Sequence, residues 1–164
     1  MIFEPLLPNT NPHFSTHPTP NSKGMKIPWQ STTFRATARN KYLLLIDREE
    51  DRRQVTKAGL ELMTDWQIRV ASSSQEGIDL ARSQFFHAIL INLDPNPVSI
   101  FLQQLLSHPT TRHIPIILTV DRLRCADAEY FSRLGVAGTI DQPYDCVGLG
   151  GQIADFLNWQ GNRD

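Results

Sequence analysis

The chain is organised around the stretch His87-Ala88-Ile89-Leu90-Ile91-Asn92-Leu93-Asp94, which runs directly into Pro95-Asn96-Pro97. Its apolar part is short, unbroken and rich in isoleucine and leucine, and turn-forming residues close it. Such a run is typical of a central parallel strand, because helices cover both faces of that strand. In an open α/β sheet, reactive groups lie just beyond the carboxyl ends of the strands. We therefore expect Asn92 and Asp94 to lie at a functional site.

Four other segments have the pattern of strands, and a helical pattern follows each of them. With the central strand at 88–93, the predicted strands lie at 42–46, 66–71, 116–120 and 136–140. The predicted helices span 49–63, 74–81, 98–107, 125–134 and 145–159. Strands that alternate with helices in this way form a parallel sheet with helices on both faces. The sequence therefore predicts an α/β fold with a doubly wound, five-stranded parallel sheet.

Helical spacing of apolar residues predicts which helix faces pack on the sheet. In the first helix the recurring set is Val55, Ala58, Gly59 and Leu62, and the third helix carries the apolar residues Ile100, Phe101, Leu102, Leu105 and Leu106. Ser73 and Glu76 have the spacing of a capping box, which predicts that the second helix begins there.

Charge is distributed unevenly along the 164 residues. Of 16 basic and 17 acidic residues, five basic residues and one acid lie in 1–41, which leaves 11 basic and 16 acidic residues in 42–164, a balance of −5. An acidic domain is unsuited to general nucleic-acid binding, which depends on phosphate neutralisation. We therefore expect no nucleic-acid partner.

The chain divides by composition into a tail, a domain and a short end. Six of the 11 prolines fall within the first 28 residues, among Asn, Ser, Thr and His. This composition predicts that 1–40 is a disordered, basic, proline-rich tail, followed by a domain at 41–160 and a C-terminal end at 161–164. Met25 is an alternative start to Met1. We expect no further domain after the last helix.

Membrane, secretion and metal signals are missing from the sequence. No apolar run approaches the roughly 20 residues that span a bilayer, and Pro5 and Pro8 interrupt the only apolar stretch near the start. Cys125 and Cys146 match no metal spacing, and the five histidines are scattered. We expect a cytoplasmic protein with reduced cysteines, no membrane contact and no metal.

Four segments resemble the receiver domains of two-component response regulators. They are Leu44-Leu45-Ile46-Asp47-Arg48-Glu49-Glu50-Asp51, Ala88-Ile89-Leu90-Ile91-Asn92, Ile114-Pro115-Ile116-Ile117-Leu118-Thr119 and Gly135-Val136-Ala137-Gly138-Thr139-Ile140-Asp141-Gln142-Pro143-Tyr144. With the order of elements, the resemblance covers 41–159. It implies the flavodoxin-like, CheY-like strand order 2-1-3-4-5 and a role in phosphorelay signalling.

The resemblance fails at the groups that carry the family's chemistry. In receiver domains, two acidic residues after the first strand hold magnesium, and an Asp at the end of the third strand accepts the phosphoryl group. A Lys follows the fifth strand and precedes a cis proline. Here Asp47 keeps the first acid, but Arg48, Asn92 and Gln142 occupy the positions of the second acid, the acceptor and the lysine. The resemblance implies a cis bond before Pro143.

Two further family positions lie on the fourth and fifth strands. The family ends its fourth strand on a Thr or Ser. Counted from Pro115, that position falls on Val120, and a one-residue deletion would restore it to Thr119. The aromatic residue that changes rotamer on activation falls on Thr139.

The substitutions indicate a site that neither binds magnesium nor accepts phosphate. A carboxamide is a poor, uncharged nucleophile, so Asn92 cannot form an acyl phosphate, and magnesium normally needs one or two carboxylates. An Asp47–Arg48 pair at about 4 Å gains roughly 4 kcal/mol at an effective dielectric near 20, before desolvation. We therefore hypothesise that Arg48 takes the place of the metal; the alternative is that it points to solvent.

Asp94 is the rival phosphate acceptor. It lies two residues beyond Asn92 and shares its face if the strand continues, although Pro95 closes the strand there. The family uses this position for a backbone carbonyl that binds the metal. An active receiver that uses Asp94 is therefore one alternative function.

We expect a stand-alone pseudo-receiver that is not an enzyme, needs no cofactor and acts through protein–protein interaction. The resemblance implies a histidine kinase or another regulator as partner, or a homodimer, through the fourth helix, fifth strand and fifth helix. Tyr130, Phe131 and Trp159 are candidate aromatic anchors there; alternatively, Phe131 is core and Trp159 only ends the last helix. A small-molecule sensor with a ligand in the vacated pocket is the second alternative.

Overall fold

A computed structural model of the chain describes residues 40–92, 95–121 and 125–159, and ten alternating elements lie in these ranges. They are β1 Tyr42–Asp47, α1 Glu50–Met63, β2 Gln67–Ala71, α2 Ser74–Ser83, β3 Ala88–Asn92, α3 Pro95–Ser107, β4 Ile116–Asp121, α4 Cys125–Arg133, β5 Gly138–Gln142 and α5 Leu149–Phe156. The strands form one parallel sheet in the order β2-β1-β3-β4-β5. The predicted fold is confirmed. The expectations for the tail, for Met25 and for 161–164 lie outside the described residues.

The sheet separates two apolar layers, because successive side chains of a strand point to opposite faces. Leu44, Ile46 and Ile89 pack on one face, in the layer shared with α2, α3 and α4. Leu43 and Leu45 pack on the other face, in the layer shared with α1 and α5. All five side chains are fully buried, which explains the unbroken apolar runs in the sequence. None of the helices in the described residues is both long and apolar enough to cross a bilayer.

The predicted inward face of α1 is wrong for Val55, Ala58 and Leu62, and only Gly59 of that set packs inward. Val55 and Leu62 are 59% and 81% exposed, whereas Thr56 and Leu60 are buried. The helix is rotated so that Gly59 lies against Cys146, where an added Cβ would come within 2.8 Å of the cysteine Cβ. Close packing against the segment before α5 therefore sets the orientation of α1. Of the apolar residues expected on α3, Phe101, Leu102 and Leu105 are buried, whereas Ile100 is exposed.

Two boundaries near the carboxyl terminus differ from the prediction. β5 lies two residues later than expected, and it therefore includes Gln142. α5 begins at Leu149, four residues later than expected. The carboxylate of Asp145 accepts hydrogen bonds from the backbone N–H groups of Val147 and Gly148, at 3.0 and 3.2 Å. This local side-chain turn competes with the first turn of a helix.

Of the two hydrogen bonds in the capping box predicted for α2, only the one accepted by the Ser73 hydroxyl is present. The Ser73 hydroxyl accepts a hydrogen bond from the Glu76 N–H at 3.2 Å. The Glu76 carboxylate bonds to the backbone N–H and hydroxyl of Ser72 instead of the Ser73 N–H. These hydrogen bonds lower the pKa of Glu76 below its usual value.

Candidate functional site

The carboxyl ends of β1, β3 and β4 bring three polar side chains into one row. Asp47 pairs in register with Asn92, and Asn92 pairs with Thr119. All three residues are buried. Thr119, not Val120, therefore takes the position next to Asn92, as expected if this chain lacks one residue relative to the family.

The Asp47 carboxylate is fully buried, and both of its oxygens accept hydrogen bonds. Oδ1 accepts from the Glu49 backbone N–H at 2.9 Å and from Arg52 Nη2 at 2.8 Å. Oδ2 accepts from Arg52 Nε and from Asn92 Nδ2, each at 2.7 Å. A carboxylate offers about four lone-pair positions. The chain itself therefore uses the whole acceptor capacity of Asp47.

Arg52 is the cation of this site, and the hypothesis that Arg48 pairs with Asp47 is wrong. Arg48 is exposed, whereas Arg52 forms a two-point ion pair with Asp47 and a second ion pair with Glu49 at 3.1 Å. The hydrogen bond to Asp47 raises the pKa of Arg52 above its usual value. The next residue, Arg53, donates to the backbone oxygen of Asp47 at 2.8 Å.

The sequence contains a signal that could have identified Arg52. Side chains in a helix tilt toward its N-terminus. A residue in the first turn of α1 therefore reaches back over the end of β1, whereas Arg48 precedes the helix. Arg52 is the third residue of α1, so its guanidinium returns to Asp47.

Asn92 connects Asp47 to the fifth strand. Its Nδ2 donates to Asp47, and its Oδ1 accepts from Gln142 Nε2 at 2.7 Å. Gln142 Nε2 also donates to Thr119 Oγ1 at 3.1 Å. We call Arg52, Asp47, Asn92, Gln142 and Thr119 the carboxyl-end network. Its side chains come from four strands and one helix, and each is hydrogen-bonded to another member.

Pro143 directly follows Gln142 of the network. The Gln142–Pro143 peptide bond is cis, as the resemblance implies. Asp94 lies outside the described residues. Tyr144, which follows the cis bond, shares a 3.0 Å hydrogen bond with Thr56 of α1, and burial raises its pKa.

The network offers no open carboxylate oxygen for a magnesium ion. Mg²⁺ is held by one or two carboxylates with open oxygen positions and by water. The oxygens of Asp47 are engaged by chain donors, and the Arg52 guanidinium lies 2.7 Å from one of them. Across the described residues, no group of three or more His, Cys, Asp or Glu side chains could hold a metal ion.

The three predicted partner anchors are not brought together. Phe131 is 7% exposed and belongs to the core, so its prediction as an anchor is wrong. Tyr130 is 50% exposed and lines a groove of about 490 Å³ between α3 and α4. Trp159 packs edge-on against Trp66 and His87, on the layer that α1 and α5 share. Tyr130 and Trp159 therefore lie on opposite sides of the sheet.

Comparison with solved structures identifies the fold. No protein-family model matches the chain, and no curated protein matches it in sequence. The chemotaxis response regulator CheY4 of Vibrio cholerae aligns with a TM-score of 0.64 at 15% identity, over 71% of this chain and 98% of that one. A response regulator from Desulfuromonas acetoxidans aligns with a TM-score of 0.64 at 18% identity, over 72% and 97%.

A third similar structure is the receiver domain of a sensor histidine kinase from Pseudomonas aeruginosa, with a magnesium ion coordinated in its active-site cleft. It aligns with a TM-score of 0.62 at 16% identity, over 73% of this chain and 98% of that one. These alignments cover nearly the whole length of each matched chain. The chain therefore has the fold of CheY-like response-regulator receiver domains.

Proposed function

We propose that the chain is a signalling module of the phosphorelay type, which acts by binding a protein and accepts no phosphoryl group at Asn92. The observation that supports this most strongly is the complete use of Asp47 within the chain. A receiver that works through magnesium needs this carboxylate open to the ion. Here the Arg52 guanidinium supplies the positive charge permanently.

The groups around Asp47 support the same function. Asn92 presents a neutral amide whose nitrogen and oxygen are both hydrogen-bonded, so it offers no nucleophile for phosphoryl transfer. Gln142 stands where the family carries a lysine, and its neutral amide cannot neutralise a phosphoryl group. Because Gln142 bridges Asn92 and Thr119, the three side chains fit one another instead of an anion.

A network of this kind favours one conformation of the domain. A ligand shifts a conformational equilibrium only when it binds one state better than the other. With no phosphoryl group and no metal to bind, the carboxyl-end network has no such ligand. We infer that partner binding is constitutive and is controlled by the amount of the protein or of its partner. A histidine kinase or another cytoplasmic regulator is the expected class of partner.

Intact-mass spectrometry after treatment with acetyl phosphate and Mg²⁺ tests the proposal. The wild-type chain should gain no phosphoryl group, and Asp94→Ala should behave in the same way. A phosphoryl adduct on the wild type that is lost in Asp94→Ala would overturn the proposal in favour of an active receiver. A small molecule that copurifies with the wild-type chain but not with the Gln142→Ala variant would favour the sensor alternative.

Restoring the missing groups tests the part played by Arg52. The triple variant Arg48→Asp, Asn92→Asp, Gln142→Lys supplies the second acid, the acceptor and the lysine. We expect it to show no Mg²⁺-dependent rise in melting temperature, because Arg52 still engages Asp47. Adding Arg52→Ala frees the carboxylate, so the quadruple variant should be stabilised by Mg²⁺ according to RT ln(1 + [L]/Kd).

The matched control for the restoration adds Arg133→Ala to the triple variant in place of Arg52→Ala. Arg133 lies on the exposed surface of α4, where it pairs with Glu129. This control should respond to Mg²⁺ no more than the triple variant does. If the triple variant already gains as much as the quadruple variant, Arg52 does not close the site, and the proposal loses its main support.

A further inference from the structure

The outer edge of β2 is the feature that the carboxyl-end network does not explain. β2 is the last strand of the sheet on its side, and within the described residues it pairs with β1 alone. A groove of about 820 Å³ opens beside the first three residues of this strand, Gln67, Ile68 and Arg69. Its other walls are Lys57 and Glu61 of α1, Tyr42 of β1 with Trp66, and the segment after α2 that includes Gln84, Phe85 and Phe86.

The backbone of β2 divides its hydrogen-bonding groups between two sides. The Gln67 N–H donates to the Lys41 carbonyl oxygen at 2.7 Å, so Gln67 faces β1. In a parallel ladder, alternate residues bond to the same neighbour. Arg69 and Ala71 therefore also face β1, and the N–H and C=O groups of Ile68 and Val70 face outward. These outward groups are the template that an added strand would pair with.

The side chains around the groove define the chemistry of an added strand. Lys57 and Glu61 neutralise each other through a 2.9 Å ion pair. Arg69 also lines the groove and is exposed. Among the described charged residues that line the groove, Arg69 is the one that forms no ion pair. Phe85 is 66% exposed, and its ring is held edge-on against His87 at 4.8 Å. The groove thus offers one free cation and one preformed aromatic contact.

We propose that the outer edge of β2 binds an extended segment of a partner protein, with backbone pairing to Ile68 and Val70. Side chains of an added strand alternate between the two faces of the sheet. Ile68 packs with the α1 side and Ala71 with the α2 side, which places Arg69 on the α2 side. The segment therefore carries an acidic residue on the α2 side, toward Arg69, and an apolar residue on the α1 side, beside Ile68 and Val70. This inference goes beyond the proposed function and does not depend on phosphate.

A second copy of this chain fits the edge less well. Two copies that pair antiparallel through both Ile68 and Val70 would place their Arg69 side chains directly opposite each other. Like charges in that position are destabilising. An acidic partner segment removes this repulsion and is for that reason the occupant that the charge of the edge favours.

The test uses a short, end-blocked peptide in which valine and glutamate alternate, added to the full chain and followed by backbone amide NMR and fluorescence anisotropy. We expect the amide signals of Ile68 and Val70 to shift and to become protected from solvent exchange. A peptide with the same sequence but N-methylated at every residue has no N–H group to donate along either edge, so it cannot form the ladder and should not bind. A peptide with lysine in place of glutamate should bind more weakly.

Three variants of the chain make the test specific. Val70→Pro removes an outward N–H while leaving the bonds to β1 in place, and it should abolish binding. Arg69→Glu should weaken binding several-fold, and Arg133→Glu, a charge reversal on remote α4, should leave it unchanged. If Val70→Pro lowers the melting temperature strongly, the N-methylated peptide and Arg69→Glu still decide the outcome.

Several results would overturn the inference. Binding that survives both N-methylation and Arg69→Glu would show that the edge is not used. The same conclusion would follow if no Ile68 or Val70 signal moved at millimolar peptide, or if the shifts clustered at Tyr130 in the groove between α3 and α4. Shifts of Ile68 and Val70 that depend on protein concentration without peptide would assign the edge to a second copy of the chain instead.

Discussion

Replacing Arg52 with alanine should lower the free energy of unfolding by about 2–3 kcal/mol. The change removes two charge-assisted hydrogen bonds, each worth about 1.5–3 kcal/mol, from a fully buried carboxylate. The two bonds sum to about 3–6 kcal/mol, and we discount this sum to about 2–3 kcal/mol because the guanidinium is 37% exposed and therefore screened by water. Asp47 also keeps its donors from Glu49 and Asn92.

Thermal and urea unfolding of the full chain at neutral pH measure this loss, and a change of that size lowers Tm by about 10 °C for a domain of this length. Arg133→Ala is the control, because an exposed ion pair contributes at most about 1 kcal/mol. Arg52→Lys should recover part of the loss, since lysine keeps the charge without the two-point geometry. If Arg52→Ala is as stable as Arg133→Ala, Arg52 does not satisfy Asp47 energetically, and the reasoning about a closed site is refuted.

Three further predictions concern other parts of the molecule. Burial, and after it the charge of Lys41, hold the pKa of His87 below its ordinary 6.5. The unfolded chain therefore binds more protons, and stability should fall as pH drops below about 6.5. His87→Phe should flatten this part of a Tm–pH profile, and an unchanged slope would contradict the assignment. Phe131→Ala should cost about 3–5 kcal/mol in urea unfolding as a core truncation, whereas a loss below about 1 kcal/mol would indicate a surface residue. Tyr130→Ala should weaken binding of an identified partner by at least about 1 kcal/mol without changing Tm, and unaltered calorimetric affinity would exclude the groove between α3 and α4.

The two proposed surfaces lie at different places on the sheet and can therefore fail separately. The carboxyl-end network concerns the chemistry at the ends of β1, β3, β4 and β5, and its tests measure phosphorylation and magnesium binding. The edge of β2 concerns backbone pairing, and its test reads amide signals and peptide binding. An active receiver could still use the edge of β2, and a closed site does not require that edge to be occupied.

The amino-acid sequence alone determined the sheet. Continuous apolar runs such as Leu43–Ile46 and Ala88–Ile91 predict strands covered on both faces. This information is local, because a strand buried on both faces has apolar residues at every position instead of at every second one. The order of elements then predicts a doubly wound sheet. The segment that ends at Pro143 carried enough of the family pattern to predict the cis bond, and the polar residues at the strand ends were identified as a group.

Only the tertiary structure decided which cation meets Asp47 and which aromatic residues are accessible. Arg48 is the neighbour in sequence, but Arg52 reaches the carboxylate because α1 begins after Glu49 and its side chains tilt back toward β1. The rotation of α1 depends in turn on Gly59 packing against Cys146, a contact between segments far apart in sequence. Trp159 likewise turns toward Trp66, away from Tyr130. Contacts of this kind depend on how separate elements pack, and the spacing of residues within one element does not contain that information.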